Sequence, residues 1–183
     1  MAWIDYRKAY DMVPHSWIVE MLRMVKVAGN VEGLVTRSMK DWKTVLTADG
    51  KVLGEVDIRR GIFQGDSLSP LLFIVIMLPL SMLLRKEKKL GYLFGSGGKS
   101  INHLVFMDDI KLYGKSVKEL DALVELVRVF SRDIGMEFGV DKCAVVGMKK
   151  GVRVHCEGIS LPNGEVMKEL DENGKGECYG SVM

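Results

Sequence analysis

Residues 104–113 of this chain read Leu104-Val105-Phe106-Met107-Asp108-Asp109-Ile110-Lys111-Leu112-Tyr113, and this stretch decides the fold. Its two ends are short strand-forming runs that flank a pair of carboxylates, which predicts a β-hairpin with Asp108 and Asp109 at its bend. Adjacent carboxylates repel each other, so they are tolerated where a cation lies between them or solvent surrounds them. In isolation such a pair is more typical of a solvated turn, but the hydrophobic flanks favour a tip fixed on a buried sheet.

A third carboxylate follows another short apolar run. Ala2-Trp3-Ile4 is typical of the last residues of a strand, and Asp5 comes directly after it. Alone, Asp5 fits a helix N-cap or a surface acid. Together the three carboxylates can hold two magnesium ions about 3.5–4 Å apart. Magnesium prefers oxygen ligands, and the sequence has no His/Cys cluster that would favour zinc.

A glycine-containing loop and a long apolar helix lie between these acids. The loop is Arg59-Arg60-Gly61-Ile62-Phe63-Gln64-Gly65-Asp66-Ser67-Leu68-Ser69-Pro70. Glycines let a backbone approach a ligand, and a helix start offers N–H groups to phosphate, although an ordinary capped loop explains the same residues. The apolar run from Leu68 to Leu84 is shorter than the roughly 20 residues of a membrane span. With Pro70 and Pro79 inside it, a buried core helix is the favoured interpretation, and a membrane anchor is the alternative.

Strand-like and helical segments alternate along the chain, which predicts one α+β domain. Pro14 fits the first turn of a helix that Gly29-Asn30 would end, and a second helix would reach Trp42. Asp49-Gly50 predicts a tight turn within a hairpin from Thr44 to Ile58. Further predicted elements are a helix with a Ser116/Glu119 capping box ended by Gly135, strands at Ala144–Met148 and Val152–His155, and a turn at Pro162-Asn163-Gly164.

Composition sets few further bounds. The chain has 183 residues, 48% of them apolar, and a net charge of +2, which neither supports nor excludes a nucleic-acid partner. Cys143, Cys156 and Cys178 are odd in number and are not paired as CxxC. We therefore expect reduced thiols in an intracellular protein.

Three motifs together resemble the reverse transcriptases of non-LTR (LINE-type) retrotransposons. They are Ile4-Asp5-Tyr6-Arg7-Lys8-Ala9-Tyr10-Asp11-Met12-Val13-Pro14-His15, Gln64-Gly65-Asp66-Ser67-Leu68-Ser69-Pro70 and Phe106-Met107-Asp108-Asp109. They occur in the family's order and at about its separations, and Gly139-Val140-Asp141-Lys142 resembles the family's following lysine motif. The resemblance covers nearly the whole chain. It implies the palm of a reverse transcriptase, an antiparallel sheet with helices on one face, over residues 1–150. Residues 151–183 would be a degenerate approach to the primer-grip hairpin.

The resemblance also implies roles for individual residues. Asp5, Asp108 and Asp109 would be the catalytic acids and the ligands of two Mg²⁺ ions, which Mn²⁺ could replace, with the backbone carbonyl of Tyr6 assisting. The nucleotide-binding residues would be Tyr6, Tyr10 as a steric gate against the 2′-hydroxyl, Gln64 and Gly65 along the nucleotide and template, and Lys142 at the leaving pyrophosphate. Arg59 and Arg60 would contact phosphate. Without the motifs, Tyr10 is better interpreted as a core aromatic and Lys142 as a surface lysine.

The implied reaction is attack of a primer 3′-hydroxyl on the α-phosphorus of a deoxynucleoside triphosphate, which copies RNA into DNA. The implied partners are an RNA template, a DNA primer and deoxynucleoside triphosphates, without a membrane. The implied location is the nucleus and cytoplasm.

The sequence departs from the family at three places. Only four residues precede Asp5, where the family has its fingers region, and no thumb region follows the last motif, so we expect fingers and thumb to be largely missing. Met107 stands where alanine is more frequent, and Glu177-Cys178-Tyr179-Gly180 matches the primer-grip turn only in part. The alternatives are a catalytically silent remnant of a degraded element that binds nucleic acid weakly, and a group II intron maturase or another reverse-transcriptase branch.

Overall fold

A computed structural model describes residues 1–94 and 99–170 of the chain. It contains two compact units. Met1–Lys8 and the chain from Met77 onward form one, which we call the sheet unit, and Ala9–Ile76 form the other, the helical unit. The alternation of strands and helices in the sequence predicted one domain and did not indicate two compact units.

The secondary-structure elements of the described residues are as follows. The strands are β1 Ala2–Ile4, β2 Lys43–Ala48, β3 Lys51–Asp57, β4 Tyr92–Phe94, β5 Lys99–Ile101, β6 His103–Phe106, β7 Asp109–Leu112, β8 Ala144–Val145, β9 Gly147–Lys149, β10 Val152–Val154, β11 Ile159–Ser160 and β12 Val166–Glu169. The α-helices are α1 Ala9–Met12, α2 His15–Met24, α3 Gly29–Lys40, α4 Ser69–Lys86 and α5 Val117–Asp133. A 3-10 helix covers Val140–Lys142.

The sheet unit is built on a six-stranded sheet with the order β11-β12-β8-β1-β7-β6. β1 lies in its middle and pairs antiparallel with both β7 and β8. The strands of this sheet within residues 1–150 pair antiparallel as predicted, whereas β12, which lies beyond them, pairs with β8 in parallel. Parallel neighbours need a long connection, and here the β9–β10 hairpin and β11 lie between the two strands.

Helix α5 packs the apolar stripe that the sequence predicted. Leu120, Leu123, Val124 and Val127 are all at most 4% exposed. The Ser116 hydroxyl accepts a hydrogen bond from the Glu119 N–H at 3.2 Å, so the predicted N-terminal cap is confirmed. At the other end Gly135 has a φ of +70°, the left-handed conformation that glycine adopts readily after a helix.

The helical unit contains α1 to α3 and the β2–β3 hairpin. Asp49 and Gly50 both have positive φ, so the predicted primed turn is confirmed. The predicted end of α2 at Gly29-Asn30 is wrong, because α2 ends at Met24 and Gly29 begins α3. A left-handed Lys26, with a φ of +55°, turns the chain instead.

Helix α4 has one buried and one exposed apolar face. Leu72, Phe73, Ile76, Leu80 and Leu84 are nearly inaccessible to solvent. The opposite face exposes further large apolar side chains, which are Leu71, Ile74, Leu78 and Met82. Within the described residues α4 alone is long and apolar enough to cross a membrane, and a half-buried core helix meets that test equally well.

Candidate active site

Asp5 directly follows β1, and its backbone is held by the segment that contains the 3-10 helix. The Asp5 carbonyl accepts a hydrogen bond from the Gly139 N–H at 2.9 Å. The Asp5 N–H donates to the Cys143 sulfur at 3.4 Å, and the Cys143 thiol lies 3.7 Å from the Asp5 carbonyl oxygen. The N–H and the carbonyl group of Asp5 are therefore both held in place, while its side chain is half-buried.

Gly139 also leaves space for the Asp5 carboxylate. A Cβ atom at position 139 would lie 3.3 Å from Asp5 Oδ1, which is tighter than an ordinary contact. The φ of Gly139 is −84°, so no left-handed backbone requires glycine there. The absence of a side chain therefore serves the position of the carboxylate and not the backbone conformation.

The second and third acids lie at the tip of the β6–β7 hairpin. Phe106 pairs with Asp109, so the two-residue turn consists of Met107 and Asp108. The prediction of a hairpin is confirmed, but its bend lies one residue earlier than predicted, and Asp109 is the first residue of β7. Met107 has a φ of +54°, a left-handed conformation that costs an L-residue about 1–2 kcal/mol.

Strand pairing brings the hairpin acids to Asp5. Ile4 of β1 pairs with Ile110 of β7 in an antiparallel register. Continuing that register by one residue places Asp5 opposite Asp109. The central strand pair therefore directs all three carboxylates to one end of the sheet.

The charges of these residues act on one another. Burial is the main cause that raises the pKa of the Asp5 carboxyl above its ordinary value of 3.8. The Lys142 ammonium opposes that rise in pKa, whereas the Asp108 and Asp109 carboxylates add to it. Burial and then Asp108 raise the pKa of Asp109 as well. The three acids are thus close enough to repel one another, and a cation would relieve that repulsion.

The donor chemistry of the three acids fits magnesium, because all of their ligand atoms are carboxylate oxygens. Within residues 1–94 and 99–170, however, no three Asp, Glu, His or Cys side chains converge tightly enough to ligate one ion. Carboxylates of like charge favour separated positions when no cation joins them. The structure therefore gathers the acids at one place without presenting a preassembled metal site.

Comparison with known proteins identifies the family. The family model described as reverse transcriptase (RNA-dependent DNA polymerase) matches residues 1–155. This chain belongs to the reverse transcriptase family. The match covers the strand ends that carry the acids and the segment that holds Asp5.

Among the relatives of this chain are retrotransposon proteins. It is 30% identical over 153 residues to the Pol polyprotein of the type-2 retrotransposable element R2DM from Drosophila melanogaster, covering 84% of this chain and 14% of that protein. It is also 30% identical over 148 residues to the Pol polyprotein of the type-1 element R2 from Nasonia vitripennis, covering 81% of this chain and 14% of that protein. The chain thus spans about a seventh of these relatives, and the resemblance to non-LTR retrotransposon enzymes is confirmed.

Two other predicted site residues lie in the sheet unit. The Tyr6 ring is 3% exposed, and its hydroxyl is 2.8 Å from the Ser131 hydroxyl. Burial raises the pKa of that hydroxyl, so the side chain belongs to the core and only the backbone of Tyr6 remains for the predicted role. Lys142 is exposed, and its ammonium lowers the pKa of Asp5, so its charge acts on that acid.

The remaining predicted residues lie in the helical unit. The Tyr10 ring stacks on Phe73 with 5.0 Å between centroids, as expected of a core aromatic, although Tyr10 is half-buried. Gln64 and Gly65 are exposed in the loop before α4, where Gly65 has a φ of +89°. The structure therefore gathers Asp5, Asp108, Asp109, Tyr6 and Lys142 in one unit and places Tyr10, Gln64 and Gly65 in the other.

The arginines of the same loop have protein partners. Arg60 donates to the Met12 carbonyl at 3.1 Å, and Arg59 lies 3.8 Å from the Asp57 carboxylate. Gly61 in this loop has a φ of +93°, and a Cβ there would meet the Asp11 backbone at 3.2 Å. The loop therefore depends on glycine at position 61 for its own packing.

Sequence reasoning missed the contribution of Cys143. The prediction of reduced thiols is confirmed for Cys143 and Cys156, while Cys178 lies outside the described residues. Cys143 is nevertheless more than an inert thiol, because its sulfur holds the backbone of Asp5. Its position directly after Lys142 of the lysine motif was the available signal.

Proposed function

We propose that this chain is the palm of an RNA-directed DNA polymerase that catalyses two-metal nucleotidyl transfer onto a primer 3′-hydroxyl. The observation that carries the proposal is the register of β1 on β7, which places Asp5 opposite Asp109 and next to the Asp108 turn. A chain of the reverse transcriptase family with three mutually repelling carboxylates at one sheet end has the charge arrangement that such chemistry requires.

In this mechanism Asp5, Asp108 and Asp109 would hold two Mg²⁺ ions, or Mn²⁺ in their place, with the Tyr6 carbonyl assisting. When bound, such ions activate the attacking hydroxyl and neutralise the charge that develops on the leaving pyrophosphate. The chain supplies the position of the acids, since the sheet fixes the hairpin and the Gly139–Cys143 segment fixes Asp5. The exposed ammonium of Lys142 lies within electrostatic reach of Asp5 and would act on the pyrophosphate.

The family motifs assign the nucleotide contacts of the helical unit to Tyr10, Gln64 and Gly65. The exposure of Gln64 and Gly65 supports contact with a nucleotide or template. Tyr10 would exclude a ribonucleotide through its ring, which the stack on Phe73 keeps in one orientation. Replacing Tyr10 by Ala would then raise ribonucleotide incorporation relative to Tyr10→Phe, which keeps the ring.

The proposed partners are an RNA template, a DNA primer and deoxynucleoside triphosphates. The proposed location is the nucleus and cytoplasm, where enzymes of this family assemble and act. Because the chain spans 14% of its R2 relatives, their other activities are not carried over to it.

A catalytically silent remnant is the second candidate. Such a protein would keep the fold and the charge cluster and would bind nucleic acid weakly, because phosphate contacts dominate that affinity.

Primer extension on an RNA template with Mg²⁺ separates the two candidates. The parent chain is compared with an Asp108→Ala/Asp109→Ala variant and with Asp121→Asn, which alters an exposed acid of α5. Extension by the parent and by Asp121→Asn, but not by the double variant, is the expected result. If circular dichroism shows that the parent is folded and the parent still extends no primer, the silent remnant is favoured.

A further inference from the structure

Hydrogen bonds made by the side chains of Ser81, His103 and Asn102 join α4 to the start of the β6–β7 hairpin. Ser81 Oγ lies 2.8 Å from His103 Nε2, and His103 Nδ1 lies 2.7 Å from Asn102 Oδ1. Asn102 Nδ2 donates in turn to the Leu84 carbonyl at 2.6 Å, one helical turn after Ser81. All four residues lie in the sheet unit, and the series begins and ends on the same helix.

The direction of each bond follows from the chemistry of the groups. Because Asn102 Nδ2 donates to the Leu84 carbonyl, the amide oxygen faces His103, and that oxygen can only accept. The proton of a neutral imidazole must therefore lie on Nδ1, which leaves Nε2 as an acceptor for the Ser81 hydroxyl. Burial, and then the neighbouring Arg85, lower the pKa of His103, which agrees with a neutral ring.

The order Ser-His-Asn resembles a nucleophilic triad, but the place of Ser81 argues against hydrolysis. Acyl transfer needs free N–H donors beside the nucleophile to stabilise an oxyanion. Ser81 lies inside α4, between Ser69 and Lys86, where backbone N–H groups are used by the helix itself. The arrangement is therefore suited to holding two elements together.

The element held is the hairpin that carries the acids. His103 is the first residue of β6, and the Met107-Asp108 turn follows the last residue of that strand. The Asn102 carbonyl accepts from the Tyr113 N–H at 2.9 Å, so Asn102 also closes the open end of the same hairpin. A short hairpin fixed at its open end has little freedom to move its tip.

We propose that Ser81, His103 and Asn102 form a lock that sets the position of Asp108 and Asp109, with His103 as the positioning residue. The inference rests on the proposed function, since it assigns a purpose to the placement of those two acids. His103 acts through the β6 backbone and does not touch the reacting groups.

The test uses Ser81→Ala, which removes the hydroxyl without shortening the helix. Alanine favours helices more than serine, so the substitution would leave the protein equally or more stable if the Ser81 hydroxyl made no stabilising contact. The matched control is Ser38→Ala, at an exposed helical serine of α3. Ser81→Thr keeps the hydroxyl and should restore the parent behaviour.

The first measurement is amide hydrogen exchange in β6 and β7. The lock predicts that Ser81→Ala speeds exchange there by roughly three- to tenfold, the effect of one lost hydrogen bond, while Ser38→Ala and Ser81→Thr do not. Equal exchange in the parent and Ser81→Ala would overturn the lock. Hydrogen exchange is measured without added metal and does not depend on polymerase activity.

The second measurement is a titration with Mn²⁺ alone. Weaker binding by Ser81→Ala than by Ser38→Ala is expected if the lock positions the acids. Equal Mn²⁺ affinity of these two variants would overturn a positioning role even where exchange had changed. If Asp108→Asn/Asp109→Asn binds Mn²⁺ as well as the parent, the proposed function fails instead, and the exchange experiment still decides the lock.

Discussion

Asp5 lies opposite Asp109 because Ile4 pairs with Ile110 in the middle of the sheet. Two carboxylates that are distant in sequence are thus held together by a strand pair with buried residues on both sides. Burial opposes the charge of both acids and raises both pKa values; the Asp108 and Asp109 carboxylates add to the rise at Asp5, and Asp108 adds to the rise at Asp109. The fold therefore keeps these acids at a cost in stability, and that cost can be measured.

Replacing the hairpin acids by amides should stabilise the protein. Asp108→Asn/Asp109→Asn removes like-charge repulsion without changing the size of either side chain. We expect the free energy of unfolding at pH 7 to rise by about 0.5–1 kcal/mol, the scale of an exposed charge pair, while Mn²⁺ binding is lost. Urea denaturation without metal provides the measurement, with Asp121→Asn as the control. A double variant less stable than the parent would make these acids structural.

The stability gained by Asp5→Asn should depend on pH in a defined direction. Because the pKa of Asp5 is raised in the folded state, folded protein retains the proton above pH 3.8 when unfolded chains have lost it. The stability of the parent therefore falls as pH rises from 3.8 through the folded pKa, whereas Asp5→Asn lacks this contribution. Denaturation curves at a series of pH values should show the two proteins diverging as pH rises. If the difference in the free energy of unfolding between the parent and Asp5→Asn were constant with pH, Asp5 would titrate alike in the folded and unfolded chains.

Elements with strong local signals could be predicted from the sequence. The stripe and caps of α5, the Asp49-Gly50 turn and the β6–β7 hairpin each rest on neighbouring residues whose preferences agree. The meeting of Asp5 with the hairpin acids required the family resemblance as well, because no local pattern states which strands pair.

Other features had no local signal. The turn of the β6–β7 hairpin lies at Met107-Asp108 because the pairing of β6 with β7 sets it, against the preference of methionine for negative φ. Likewise Lys26 ends α2 from a left-handed conformation, although Gly29 offered the better stop signal. Strand β8 has two residues, too few for a periodicity that could have predicted its parallel partner β12.

Gly139 provides a test of how Asp5 is positioned. In Gly139→Ala the new Cβ would lie 3.3 Å from Asp5 Oδ1 and displace the carboxylate. We expect about tenfold weaker Mn²⁺ binding, as for residues that orient metal ligands, with little change in stability. The control is Gly54→Ala in β3, where a Cβ would meet nothing within 4 Å. Unchanged Mn²⁺ affinity in Gly139→Ala would mean that the space beside Asp5 is not needed.

The strained turn residue Met107 offers a stabilising substitution. Glycine adopts a φ of +54° without the steric cost that methionine carries, but it adds entropy to the unfolded chain. Relief of about 1–2 kcal/mol of strain against about 0.5–1 kcal/mol of added unfolded-state entropy predicts that Met107→Gly gains up to roughly 1.5 kcal/mol in the free energy of unfolding. The matched control is Met148→Gly in β9, which should lose stability because Met148 is not among the positive-φ residues. Urea denaturation of both variants measures the difference, and a loss at position 107 equal to that at position 148 would show that the turn stores no strain.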